Sequence, residues 1–355
     1  MNQLQEIYLN FAISSFEKIE MTKLEKILGK GYSHDRFTKM LLEKNVEHEK
    51  DLWKNAKDFL RNYENKEDGC LIVDDTILNK PYTKESDTVC YHFDHTVGRS
   101  VKGVSLLNFL YTDKSDISIP VAYEIITKSE KIKDVNSGKI RRKATLTKNE
   151  IFRTKLKIIT NENQLKYKYI LADKWFSSNE NMEFIENILK RKFVIPLKRN
   201  RQVALSIEDK NIGKYVTISN MDTEDFSGRS LYLKGVEMPL KISRQGSKNG
   251  TDENYNYLYL ASNDRDLTDY KILEIYKRRW KVEEYHKSLK QNLKIEHSPT
   301  KVEISQQNHL FLSVLGFIKL EKIKVNYKIN HFAIKEKIYI EALKESYKKT
   351  LEFAV

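Results

Sequence analysis

Cysteine is nearly absent from this chain. Cys70 and Cys90 are the only two in 355 residues, and their spacing matches neither a disulfide framework nor a zinc site. Free thiols in a reducing compartment follow. No apolar run reaches the length that spans a bilayer, which excludes a transmembrane-helix class. The amino terminus is polar and carries Glu6, unlike a secretory signal. These absences point to a cytoplasmic protein with no membrane partner. There is no internal repeat, and no low-complexity tract beyond a general lysine enrichment. What is abundant is positive charge: the formal net charge is +13 and the sequence pI about 9.3. Such a balance favours a polyanionic partner, with Lys supplying most of it as flexible point charge. The 20 Tyr and 15 Phe argue against a mostly disordered chain. The length suggests two or three domains.

Residues 1 to about 65 read as a helical region. Thr22 and Glu25 make a capping box before Leu24, Ile27 and Leu28. Gly29 and Gly31 break the chain, and Ser33 caps a second helix containing Phe37, Leu41 and Leu42. Helix, Gly-rich turn and helix fit a helix-turn-helix offering Arg36 and Lys39 to DNA, and fit an ordinary helical hairpin more simply. From Cys70 the pattern becomes α/β. Leu71-Ile72-Val73 is an apolar strand ending in Asp74-Asp75-Thr76. Two β-rich stretches, Val104 to Tyr111 and Ile117 to Ile126, follow it. Then come a basic stretch (128–148, with Lys139, Arg141, Arg142 and Lys143), a helix starting near Thr147, and a strand from Tyr167 to Asp173. A helix capped by Ser178 leads to a strand at Phe193 to Leu197. Residues 199–262 read as a β-rich insertion of short strands, with Arg244 to Glu253 as its tip. A helix opens near Leu267, and after Pro299 the tail is helical, with Leu310, Phe311, Val314, Leu315 and Ile318 as a packing stripe. The expected divisions are 1–65, 66–198, 199–262, 263–298 and 299–355.

Chemistry concentrates in Tyr276 to Lys290. On a helix of 100° per residue, Tyr276, Arg279, Glu283 and Lys290 share an arc of about 60°. Ile275, Val282, Tyr285, Leu289 and Leu293 lie on the adjoining face, which is therefore free to pack. A carboxylate set among cationic donors suits a metal-bound phosphate, the acid ligating the ion and Arg and Lys holding phosphate oxygens. Asp75 and Asp173 each end an apolar strand, where α/β sheets present ligand sites. Singly, either is an ordinary turn or cap residue. With Glu283 they make three carboxylates able to share two Mg²⁺ ions for phosphoryl transfer.

This pattern resembles the bacterial insertion-sequence DDE transposases, which have a ribonuclease H-like core and a Tyr-Arg-Glu-Lys signature. Tyr276, Arg279, Glu283 and Lys290 meet the signature's spacing of two, three and six intervening residues. Trp280, the run Glu283 to Lys287, Asp74-Asp75-Thr76 and Ala172-Asp173 fit as well. The resemblance implies a mixed sheet flanked by helices with an inserted β-rich subdomain and a helical N-terminal region. By the same resemblance Asp75, Asp173 and Glu283 are the catalytic metal ligands, for two Mg²⁺ ions with Mn²⁺ able to substitute. Tyr276, Arg279 and Lys290 then bind DNA phosphates. A shift of one residue in strand pairing would put Asp74 in the place of Asp75. The implied partners are double-stranded DNA with terminal inverted repeats, target DNA and a second copy of the chain in a synaptic complex.

One feature departs from the family pattern. Some members stack a Trp of the β insertion on a flipped base, but Trp53, Trp175 and Trp280 all lie outside it. Tyr255, Tyr257 or Tyr259 would have to serve instead, and Trp175 reads as core. Two other functions use the same residues: a ribonuclease H-like nuclease that cuts without joining, and a degenerate transposase that only binds DNA. A purely structural α/β protein leaves the shared edge of acids and cations unexplained.

Overall fold

In the computed structural model the described residues are 1–355 other than 30, 45, 96, 134–137, 139, 227–228, 249–254 and 354–355, with the backbone alone described at 223, 247, 248 and 255. Four helices open the chain: α1 (Gln3–Ser14), α2 (Met21–Leu28), α3 (His34–Leu41) and α4 (His48–Leu60). The expected capping box at Thr22 and Glu25 does not form. Helix α2 starts at Met21, whose buried side chain draws the first turn upstream, and the Glu25 carboxylate bonds His34 at 2.7 Å. Ser33 is the N-cap of α3, yet its hydroxyl makes no capping bond. Arg36 donates to the Gly31 carbonyl at 2.8 Å and so braces the turn between the two helices.

Next come β1 (Cys70–Asn79), β2 (Cys90–Asp94), β3 (Arg99–Thr112) and β4 (Ser118–Ile126), then an arm of β5 (Glu130–Lys133) and β6 (Ile140–Lys143). Lys139 of the basic stretch lies outside the described residues. Helix α5 (Lys148–Lys157) begins at a reciprocal Thr147–Glu150 capping box. It leads to β7 (Tyr169–Ala172), α6 (Asn179–Glu183), with the Ser178 side chain as its cap, and β8 (Lys192–Leu197). The β-rich stretch divides in two. β9 (Gln202–Ala204), β10 (Val216–Thr217) and β11 (Tyr232–Leu233), with α7 (Ile207–Asn211) between the first two, form a separate sheet ordered β10-β9-β11. The hairpin of β12 (Lys241–Lys248) and β13 (Tyr255–Ser262) instead joins the main sheet, β13 pairing antiparallel with β8. Arg244 to Lys248 of the expected tip is thus strand, and 249–253 lie outside the described residues.

The main sheet is open and mixed, in the order β12-β13-β8-β7-β1-β3-β2, with β4 also on β3. β1, β7 and β8 run parallel at its centre, where a strand is covered on both faces and its residues read as a continuous apolar run. Leu71, Ile72 and Val73 are accordingly all inaccessible. The chain ends with α8 (Asp269–Lys277), a 3₁₀ turn (Arg278–Trp280), α9 (Lys281–Gln291), α10 (Glu303–Tyr327) and α11 (His331–Phe353). The expected stripe of α10 is buried from Leu310 to Ile318. Among the described residues no helix is long and apolar enough to cross a membrane.

Candidate active site

Strand parity decides which carboxylates meet. β1 and β7 are in parallel register with Val73 opposite Ala172, so Asp74 and Asp173 project from the same face at the carboxyl ends of neighbouring strands. Asp75 faces the other way. Its Oδ2 accepts from Lys148 Nζ at 2.7 Å, at the start of α5. The face chosen by Asp74 is the one covered by the Glu283 helix: Arg279 Nη1 donates to Asp74 Oδ2 at 2.9 Å, and Arg279 Nη2 lies 3.5 Å from Glu283 Oε1. Asp173 continues β7 in extended conformation and accepts the Trp175 N–H at 2.7 Å.

The signature residues are brought together in part. Tyr276 lies in the last turn of α8, Arg279 sits in the 3₁₀ turn, and Glu283 and Lys290 lie on α9. The Arg279 guanidinium is 6.0 Å from the Tyr276 ring centroid. Lys290 stands apart, donating to the Ile77 carbonyl at 3.3 Å and lying 3.7 Å from Glu296. The face expected to pack does so, since Ile275, Val282, Tyr285, Leu289 and Leu293 are all buried.

The electrostatics are those of a crowded acidic cluster. Burial pushes the Asp74 carboxyl up to about 7; Arg279 pulls it down, while Asp173, Asp75 and Glu283 push it further up. Asp173 is raised by burial and by Asp75, against the Trp175 N–H. Burial works against the charge of Arg279, but Tyr276, Asp74, Glu283 and Asp173 together outweigh it and raise its pKa. Burial also raises the Tyr276 phenol to about 12, which keeps it a neutral donor. Arg279 is the cation that makes this group of acids tolerable.

Behind the acids lies a clamp that sequence reasoning missed. Asn108 is opposite Asp74 on β3 and fully buried. Its amide donates to His286 Nε2 at 3.1 Å, and its oxygen accepts from the Tyr285 hydroxyl at 3.3 Å. Burial drives His286 down to about 3, so the ring is neutral and free to accept. Three fixed groups thereby set the depth of α9 against the sheet two residues after Glu283. The available signal was a lone Asn in the apolar run Leu106 to Leu110.

The donor set suits Mg²⁺ chemically: ionisable oxygens, crowded enough to want a cation. Geometrically, among the described residues no three His, Cys, Asp or Glu side chains converge closely enough to hold one ion. Both oxygens of Asp74 are engaged, Oδ2 by Arg279 and Oδ1 by the Asp75 N–H.

Acidic side chains at the ends of adjacent parallel strands, under a helix carrying a third, place the molecule among ribonuclease H-like proteins. The Transposase DDE domain family matches residues 65–316, more than two thirds of the chain, and the chain belongs to that family. No curated protein matches it.

Proposed function

We propose that the protein is an insertion-sequence transposase acting on double-stranded DNA. It cuts at the ends of its element and joins the freed 3′ hydroxyls to target DNA. The observation that carries this reading is the grouping of Asp74, Asp173, Arg279 and Glu283 on one face of the sheet, inside the family-matched segment. In the cutting step water attacks the scissile phosphorus and the bond to the 3′ oxygen breaks, leaving a 3′ hydroxyl and a 5′ phosphate. In the joining step that hydroxyl attacks a target phosphodiester and displaces another 3′ oxygen. One phosphodiester replaces another, so no external energy source is needed.

Parity favours Asp74 over Asp75 as the first carboxylate. Asp74, Asp173 and Glu283 would hold the divalent ions once Arg279 turns from Asp74 to a DNA phosphate, a bidentate acceptor that guanidinium matches. Bound there, Mg²⁺ would supply Lewis-acid polarisation of the phosphate and a more acidic water. Tyr276, neutral and beside Arg279, donates to a phosphate oxygen, and Lys290 adds charge farther along β1. Pairing two element ends calls for a second copy of the chain in the synaptic complex.

A second reading has its own support. Arg279 and Lys148 already pair with Asp74 and Asp75, and among the described residues no three acids converge closely enough to hold one ion. A chain held in that state binds DNA without cutting it. The test is incubation with DNA carrying the element's inverted ends and Mg²⁺, comparing wild type with Glu283→Gln. End-specific nicks and joined products from wild type alone support the transposase. Sequence-independent cutting without joining supports a nuclease, and retention of DNA with no cutting supports the binding protein.

A further inference from the structure

Trp175, expected in the core, is 51% exposed immediately beyond Asp173. Its neighbour Phe176 takes the core position and stacks on Phe152 of α5, with centroids 5.0 Å apart. The indole is left at the rim, while the Trp175 backbone N–H is tied to the Asp173 carboxylate. The end of β2 and the residue after it reach the same place: the His95 ring lies 5.9 Å from Trp175, and Phe93 of β2, itself 54% exposed, lies 4.9 Å from His95. Lys198, just past β8, sits 5.9 Å from the indole centroid. Three aromatic rings and a cation from three separate elements thus form a shelf at the strand ends.

A bulky indole gains nothing from exposure to water, and open rings next to cations match the flat faces and phosphates of unpaired nucleotides. We propose that Phe93, His95, Trp175 and Lys198 hold an unpaired nucleotide of a DNA strand beside Asp173. Base pairs inside a duplex present only their edges, so the duplex interior has nothing to lay on this shelf. The inference rests on the DNA reading above and assigns it a strand-separated substrate.

The experiment measures affinity for a blunt duplex and for the same duplex with a short single-stranded extension bearing 2-aminopurine, without divalent metal so that cutting does not intervene. Wild type is expected to prefer the extension and to quench the 2-aminopurine. Trp175→Ala should reduce that preference about 5-fold or more, the worth of one base–aromatic stack. Phe93→Ala and His95→Ala, both exposed at the end of β2, should reduce it in the same direction even if Trp175→Ala folds poorly, and Trp175→Phe should restore most of it. Equal wild-type affinity for both DNAs, or a preference that survives all three alanine changes, overturns the shelf and leaves DNA binding standing. Failure of wild type to bind either DNA overturns both.

Discussion

Replacing Asp74 with Asn should stabilise the protein at alkaline pH and leave it unchanged in acid. The Asp74 carboxyl stands at about 7 in the folded chain, against about 3.9 for an unperturbed aspartate. A raised acid binds its proton more tightly folded than unfolded, so its ionised form costs stability. That cost is absent below about pH 4, grows as the pH rises toward 7, and is complete above it. Its ceiling is on the order of 4 kcal/mol. Some water reaches the carboxylate, whose side chain is 13% exposed, so about 2–4 kcal/mol is the expected gain at pH 8. The Asn oxygen still accepts from Arg279, so the substitution removes charge without stranding the guanidinium. The assay is denaturant unfolding of both proteins between pH 4 and 8. Stabilities that converge in acid and separate above neutrality fit the account. A variant equally stable at every pH, or less stable at pH 8, refutes the crowded-acid reasoning.

Mg²⁺ should stabilise the wild type at pH 8 by about 2.7 kcal/mol at a hundredfold excess over its dissociation constant, and should lose that effect in Glu283→Gln; calorimetry of unfolding in chelator and in Mg²⁺ checks this. Asn108→Leu strands the Tyr285 hydroxyl and His286 Nε2 in the interior, at about 2–4 kcal/mol. Hydrogen exchange should then speed up along α9 before the rest of the sheet is affected. Glu321 is 1% exposed, accepts from the Ser118 N–H and Lys324, and lies 2.9 Å from His331, which in turn bonds Ser288 on α9. Glu321→Ala should cost roughly 3–5 kcal/mol in urea unfolding, as removal of one member of a buried charged group does.

The elements that position the site were legible because their sequence signals are local. An apolar run closing on acids marks β1 and β7, and the expected helix start near Thr147 is the start of α5. The signature spacing located the helix that crosses the sheet. The choice between Asp74 and Asp75 was not local. It depends on β1 lying beside β7 with Val73 opposite Ala172, a pairing nearly a hundred residues apart in sequence, and one step of slip reverses every side chain. Trp175 was misjudged because apolar character says a residue gains from burial, not whether a three-residue turn lets it reach the core; Phe176 took that place. The β12–β13 hairpin looked like part of a separate insertion because alternating strands carry no record of which sheet they join. Arg279 was legible as a phosphate ligand, but its bond to Asp74 appears only once the two faces are assembled.

The central claim is that the face of β1 carrying Asp74, rather than the face carrying Asp75, holds the reacting group. Cleavage of DNA bearing the element's ends should be compared for Asp74→Asn and Asp75→Asn under identical Mg²⁺, with folding checked by the unfolding curves. The account predicts that Asp74→Asn abolishes end cleavage while Asp75→Asn retains a substantial fraction of it. Loss of cleavage in Asp75→Asn with activity kept in Asp74→Asn would contradict it.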